Sequence, residues 1–268
     1  MTFAPAASDL EHFREHGWLR LHGAFTAQEA AAMRAVVWEG LAGQGVREDP
    51  PSTWTVERPG KLQGLKSHPA FEAVGSRRLM EAVGAILGTS DFERPKTWGA
   101  VFVAFPSEGE WEVPAGGWHI DANYRSQLEP PKGVQIHALF GEVAPRCGAT
   151  LILSGSHRLV HRWFQENPPP PEARSAELRR SLQRHPYIRD LHADGDREAR
   201  TQRFMGQAEV VEGIPLQVIE NAGAAGDVLL LHPLTLHVAA LNAGTTPRFL
   251  LSGAVTTDMA GWGDRFGA

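Results

Sequence analysis

Two stretches far apart in the chain carry side chains that can do chemistry together. The first is Gly116-Gly117-Trp118-His119-Ile120-Asp121. The second is His232-Pro233-Leu234-Thr235-Leu236-His237, followed by Asn242 and Arg248. They supply imidazoles, a carboxylate and a guanidinium. Two imidazoles and one carboxylate are the ligands of a mononuclear non-haem iron(II) site, which leaves positions open for a co-substrate and dioxygen. A guanidinium alongside can grip an anionic co-substrate with its planar fork. In a strand, residues i and i+2 point to one face, so His119 and Asp121 can reach the same ion. The other imidazole must come from late in the chain, where His232 and His237 compete. They lie five apart and face opposite ways if they share a strand, and Pro233 interrupts the pairing.

His-x-Asp alone is a weak signal, and it recurs at His192-Ala193-Asp194. That second copy sits in a charged run, Arg189 to Glu198, which reads as a solvated loop or helix end. His119 instead lies between two strand-like runs, Val101-Phe102-Val103-Ala104-Phe105 and Val134-Gln135-Ile136-His137-Ala138-Leu139-Phe140. Arg248 opens the apolar run Phe249-Leu250-Leu251. An arginine at the start of a buried strand needs an anionic partner, because an unpaired buried charge is costly.

These groups need a scaffold of strands. Strand signals run over Trp98–Phe105, Gly117–Asp121, Val134–Phe140, Thr150–Leu153, Leu216–Ile219, Val228–His232, Leu236–Ala239 and Phe249–Ala254. The earlier part is helical. Ser8-Asp9-Leu10-Glu11 and Thr26-Ala27-Gln28-Glu29 are capping-box patterns, Gly17 ends the first helix, and Trp18–Leu21 reads as a short strand. Pro69 to Leu87 reads as one helix. The expectation is a mainly β fold with flanking helices, a cupin-like jelly roll, or double-stranded β-helix. Residues 1–268 form one domain: a mostly helical part over 1–96 and a jelly-roll core over 97–256. A lid-like insertion at about 157–213 interrupts the strands.

Within that frame Gln135, His137 and Leu139 share a strand face. Gln135 and His137 are candidates for the co-substrate side, with a satisfied core histidine as the competing role for His137. Trp118, Asn123, Tyr124, Arg125 and Trp163 are candidates for the substrate side, with core packing competing for each aromatic. A net charge of −5 gives no basic footprint for nucleic acid. The lone Cys147 excludes a disulfide framework and fits a reducing, cytoplasmic compartment. The first residues lack the basic and apolar segments of a signal peptide, and no apolar run approaches the ~18 residues of a membrane span.

Taken in order, the motifs resemble the phytanoyl-CoA dioxygenase family of iron(II)/2-oxoglutarate oxygenases over roughly residues 10–255. Phe13-Arg14-Glu15-His16-Gly17-Trp18-Leu19 is similar to its opening. Trp118-His119-Ile120-Asp121 is similar to its metal motif, Gly148 through Arg158 to its Gly-rich strand and turn, and Gly226 through Arg248 to its closing motif. The resemblance implies a double-stranded β-helix in which His119, Asp121 and His237 bind Fe(2+) and Arg248 holds the distal carboxylate of 2-oxoglutarate. His232 is then a core histidine, or one packed behind the ligands. The implied reaction takes O2, releases succinate and CO2, and hydroxylates or otherwise oxidises a small molecule, as in secondary metabolism. Related halogenases carry a small residue where Asp121 stands, so the carboxylate implies oxidation without halogen. Ala239 stands where the family often has Gly or Ser. Leu250 replaces a serine two places after the arginine, so Thr150 or Thr235 is expected to supply a hydroxyl to the co-substrate. The competing reading is a non-catalytic jelly-roll protein that binds metal and 2-oxoglutarate as a sensor. A cupin-like metal isomerase or hydrolase is a third, which Arg248 disfavours.

Overall fold

The computed structural model describes residues 4–121, 127–170 and 172–257. Its elements, in order, are α1 (Ala7–His16), β1 (Trp18–Leu21), α2 (Ala27–Ala42), α3 (Arg77–Leu87), β2 (Ala100–Ala104), β3 (Gly133–Leu139), β4 (Thr150–Ser154), α4 (Ser156–Glu166), α5 (Ser175–Leu182), α6 (Pro186–Leu191), α7 (Arg197–Thr201), β5 (Glu209–Val211), β6 (Ile214–Glu220), β7 (Val228–Leu231), β8 (His237–Ala239) and β9 (Arg248–Thr256). The strands form two antiparallel sheets, ordered β1-β7-β3-β9-β2 and β5-β6-β4-β8. With seven α-helices among the described residues, this is a mixed α/β molecule and not the mainly β one expected.

Strand periodicity explains where each face goes. On the five-stranded sheet, Val134, Ile136 and Ala138 face one way with Val228, Leu230 and Leu251, and pack on Phe13, Met33, Val37, Leu79 and Val83 of α1–α3. On the four-stranded sheet, Leu151, Leu153, Leu216 and Val218 pack outward on Leu159, Val160, Phe164, Leu178, Leu182 and Ile188 of α4–α6. The insertion at about 157–213 therefore lays its apolar faces on the outside of that sheet. Between the sheets lie two small apolar clusters, Leu139-Val143-Ala149-Leu250 and Ile152-Leu229-Leu231. The polar groups described below share that inner space. β3 is buried at all seven positions because it is covered on both faces.

Local chemistry sets the helix ends, with two departures from expectation. Thr26 and Glu29 form the expected box at α2, each bonding the other's backbone N–H at 3.2 and 2.7 Å. At α1 the box at Ser8 does not form. The helix starts at Ala7, and the Asp9 carboxylate accepts from Ala6 N–H at 2.9 Å instead. Gly17 caps α1 at φ 76°, as expected. The single helix expected over 69–87 is broken into a 3-10 turn, Pro69–Gly75, and α3. Ser76 caps α3 through Leu79 N–H, and Gly75 lies so close to Trp98 and Arg94 that a Cβ there would collide with both.

Candidate metal centre

His119, Asp121 and His237 come together with one ligand atom each, all within 4.8 Å of one another. The strand expected over Gly117–Asp121 is only a bridge. His119 and His237 exchange backbone hydrogen bonds at 3.1 and 3.0 Å, while Gly117, at φ 84° against Val238, turns the chain just before. That bridge sets the two rings 4.3 Å apart. Nε2 of His119 lies 3.6 Å from Asp121 Oδ1, and Nε2 of His237 lies 3.4 Å from Oδ2.

The donor set fits a divalent ion. His119 Nδ1 sits 2.7 Å from Gly117 O, and His237 Nδ1 sits 3.0 Å from Thr235 O. A carbonyl only accepts, so each Nδ1 carries the proton and donates. Each Nε2 then keeps its lone pair for a metal. Asp121 is buried, which works against its charge. In the ion-free site a second proton on His237 Nε2 bonds this carboxylate, and that bond with the nearby imidazoles of His237, His119 and His137 outweighs burial and holds the carboxyl below the usual range; a metal taking Nε2 displaces that proton.

Arg248 starts β9 opposite Ala104, on the sheet face that carries Gln135 and His137, since Ser252 pairs with His137 and Ala254 with Gln135. It is 4% exposed. Among the described residues it has no ion pair, and its Nε has no hydrogen-bond partner. Burial, and then Arg58, push its pKa down to about 10, so it is still a cation at neutral pH. A buried cation with no counter-ion among the described residues calls for an anionic partner.

The other predicted residues separate by sheet face. Thr150 is buried and pairs with Ala239, two positions from Ile152, which pairs with His237; it therefore faces the site. Thr235 does not: its hydroxyl donates to Gly17 O at 3.0 Å. His232 is core, between Leu234 N–H and Leu128 O, with its ring 4.9 Å from that of His157. His137 is fully buried beside His237, and burial, with His237 next, pushes its pKa down to about 3. Trp118 and Trp163 belong to the outer layer of the four-stranded sheet. Their indoles donate to Pro114 O at 2.8 Å and Ser181 Oγ at 3.2 Å. Asn123, Tyr124 and Arg125 lie outside the described residues. Asn242 caps the turn before β9, donating to Ala104 O and Thr246 O.

Gln135, a co-substrate candidate in the sequence, takes on a further contact in three dimensions, and Phe102 gains weight only there. Gln135 Nε2 donates to Asp121 Oδ2. Its signal was a glutamine in a strand that is apolar apart from it and His137; burial makes such an amide expensive unless it is bonded. Phe102 stays 44% exposed on the face that carries Arg248, opposite Leu250. In sequence it looks like ordinary core, and nothing there marks it.

The sequence profile described as phytanoyl-CoA dioxygenase matches residues 13–250. A search of curated proteins found no match. Among solved structures, AviO1 from Streptomyces viridochromogenes Tue57 is 16% identical with a TM-score of 0.55, covering 96% of each chain. EvdO2 from Micromonospora carbonacea var. aurantiaca, complexed with 2-oxoglutarate, is 18% identical with a TM-score of 0.52, covering 95% of this chain and 91% of that one. EctD from S. alaskensis with bound Fe is 18% identical with a TM-score of 0.51, covering 94% and 76%. At such identities the likeness is one of fold.

Proposed function

The chain belongs to the phytanoyl-CoA dioxygenase family of iron(II)/2-oxoglutarate-dependent oxygenases, and from there we propose that it hydroxylates or otherwise oxidises a small organic molecule between its two sheets. The sheets are read as a double-stranded β-helix. Iron(II) and 2-oxoglutarate are its cofactors; together with O2 they supply oxidising power, the keto acid leaving as succinate and CO2. The chain's own residues hold and shield these groups. His119 and His237 present Nε2, and Asp121 presents its charged carboxylate. Arg248 forks onto the distal carboxylate of 2-oxoglutarate. Thr150 offers a hydroxyl from the facing sheet. The apolar clusters around Leu250 and Leu231 keep water from the reacting groups.

The observation that carries this reading is the buried guanidinium of Arg248, without an ion pair among the described residues, on the inner face that also carries Gln135 and His137. Anaerobic titration with iron(II) and then 2-oxoglutarate, followed by oxygen and a panel of small-molecule substrates, tests it. Saturable uptake of both and substrate-linked succinate are expected. Tight 2-oxoglutarate binding with no oxygen consumed under any substrate would favour the sensor reading instead.

A further inference from the structure

We propose that Gln135 is a positioning residue that holds Asp121 to one metal-facing oxygen and so keeps a coordination position clear for dioxygen. The inference rests on the metal-centre reading above and adds to it a role for a residue that touches no substrate.

The geometry is specific. Gln135 stands on β3, the central strand of the five-stranded sheet, and is fully buried. Its cross-strand neighbours on that face are Leu231 and Ala254, which offer its side chain nothing polar. Its Nε2 instead donates to Asp121 Oδ2 and lies 3.1 Å from His137 Nε2 and 3.3 Å from His237 Nε2. The orientation follows from charge, because a flipped amide would set Oε1 against a carboxylate oxygen. The two amide hydrogens thus face three partners, of which the charged Asp121 Oδ2 is the strongest acceptor, and a metal on His237 would leave Asp121 and His137 to take them. Asp121 itself lies outside any strand, after the short bridge at His119. The tether runs from a central strand to a carboxylate that stands in a bend outside the sheets.

Coordination arithmetic gives the tether a purpose. In an octahedral ion, two imidazoles and one carboxylate oxygen leave three positions. A chelating 2-oxo acid takes two of them, and one remains for the gas. A carboxylate can also bind through both oxygens. If Asp121 did so, the chelate would fill what was left. The Gln135 hydrogen bond claims Oδ2 and disfavours that mode.

The test compares Gln135→Met, which keeps the volume and loses the amide, with Gln135→Asn, whose amide is one methylene short. Each holoprotein is prepared without oxygen. Iron(II) affinity is read by calorimetry, the 2-oxoglutarate chelate by its visible charge-transfer band, and the vacant position by the paramagnetic resonance signal of the nitric oxide adduct. Both variants are expected to keep iron and the chelate band. Their nitric oxide affinity should fall at least about ten-fold, the scale of one lost hydrogen bond to a charged group. An undiminished adduct in either folded variant overturns the proposal. So does loss of iron and chelate together in a folded variant, which would make Gln135 part of the binding set. A wild-type chain that takes up neither iron nor 2-oxoglutarate would sink the metal-centre reading itself, a separate and recognisable result.

Discussion

Arg248 shows how one residue can trade stability for binding. Its guanidinium is buried with no ion pair among the described residues, and burial lowers its pKa to about 10. Replacing such a charge by a well-packed apolar group is typically neutral to stabilising, by up to about 4 kcal/mol. Arg248→Met is therefore expected to raise the denaturation midpoint of the cofactor-free protein. It should also weaken 2-oxoglutarate binding about hundred-fold, or roughly 3 kcal/mol. Chemical denaturation and calorimetry read the two effects. A destabilised cofactor-free variant would mean that the guanidinium already has a counter-ion. Asp121→Ala should abolish oxidation and weaken iron binding, since the remaining imidazoles bring no charge to the ion. Undiminished turnover in that variant would reject the ligand set. At this scale much was legible. His119, Asp121, His237 and Arg248 are chemically costly residues in apolar surroundings, and cost of that kind marks a site. Trp118 and Trp163 were ambiguous for the opposite reason: an indole suits a pocket and a core equally well, and Trp118 went to the core while Trp163 packs half-buried against it.

Elements were legible where a local rule decides them. The Thr26–Glu29 box and the Gly17 cap are settled within a few residues, and both form. Gly17 also carries a load that only tertiary structure reveals. Its carbonyl accepts from His232 N–H and from the Thr235 hydroxyl, and a Cβ there would meet His157 Nδ1 at 2.4 Å. With φ at 76°, Gly17→Ala should cost about 1–3 kcal/mol. A loss within measurement error would show that the α1–β1 corner can yield. The break at Ser76 was not legible, because the pattern from Pro69 to Leu87 suits a helix throughout. What ends the first piece is contact between Gly75 and Trp98, which lies 23 positions on. The strand expected at His119 shrank to one bridge for a similar reason: among the described residues it pairs with His237 alone, and Gly117 turns the chain away.

The whole molecule should lose stability in acid through its buried histidines. Burial holds His157 down to about 4 from 6.5, and His232 well below that value, while Arg158, His16 and His161 lie near enough to His157 to push it further down. Both are therefore neutral in the fold but take up protons once unfolded. Because their folded pKa values are lowered, this stability is complete above about pH 6.5 and drains away as pH falls toward about 4. The slope should reach about 1.4 kcal/mol per pH unit for each histidine. Denaturation midpoints from pH 8 to 4 would show it, and His157→Gln should flatten the curve by one proton's worth. An unchanged slope in that variant would place the acid sensitivity elsewhere.

Sequence alone determined the chemistry, because the identity of a ligand atom is a property of the side chain and an i, i+2 pair needs no distant information. It also placed most of the core strands, since short apolar runs bounded by turn residues are a local signal. Which histidine faces the ion, which sheet face the helices of the insertion cover and what Gln135 touches were decided only by tertiary structure. Those are questions of direction across 14 to 118 positions of chain. Two sheets must first close on each other before an inward side chain differs from an outward one.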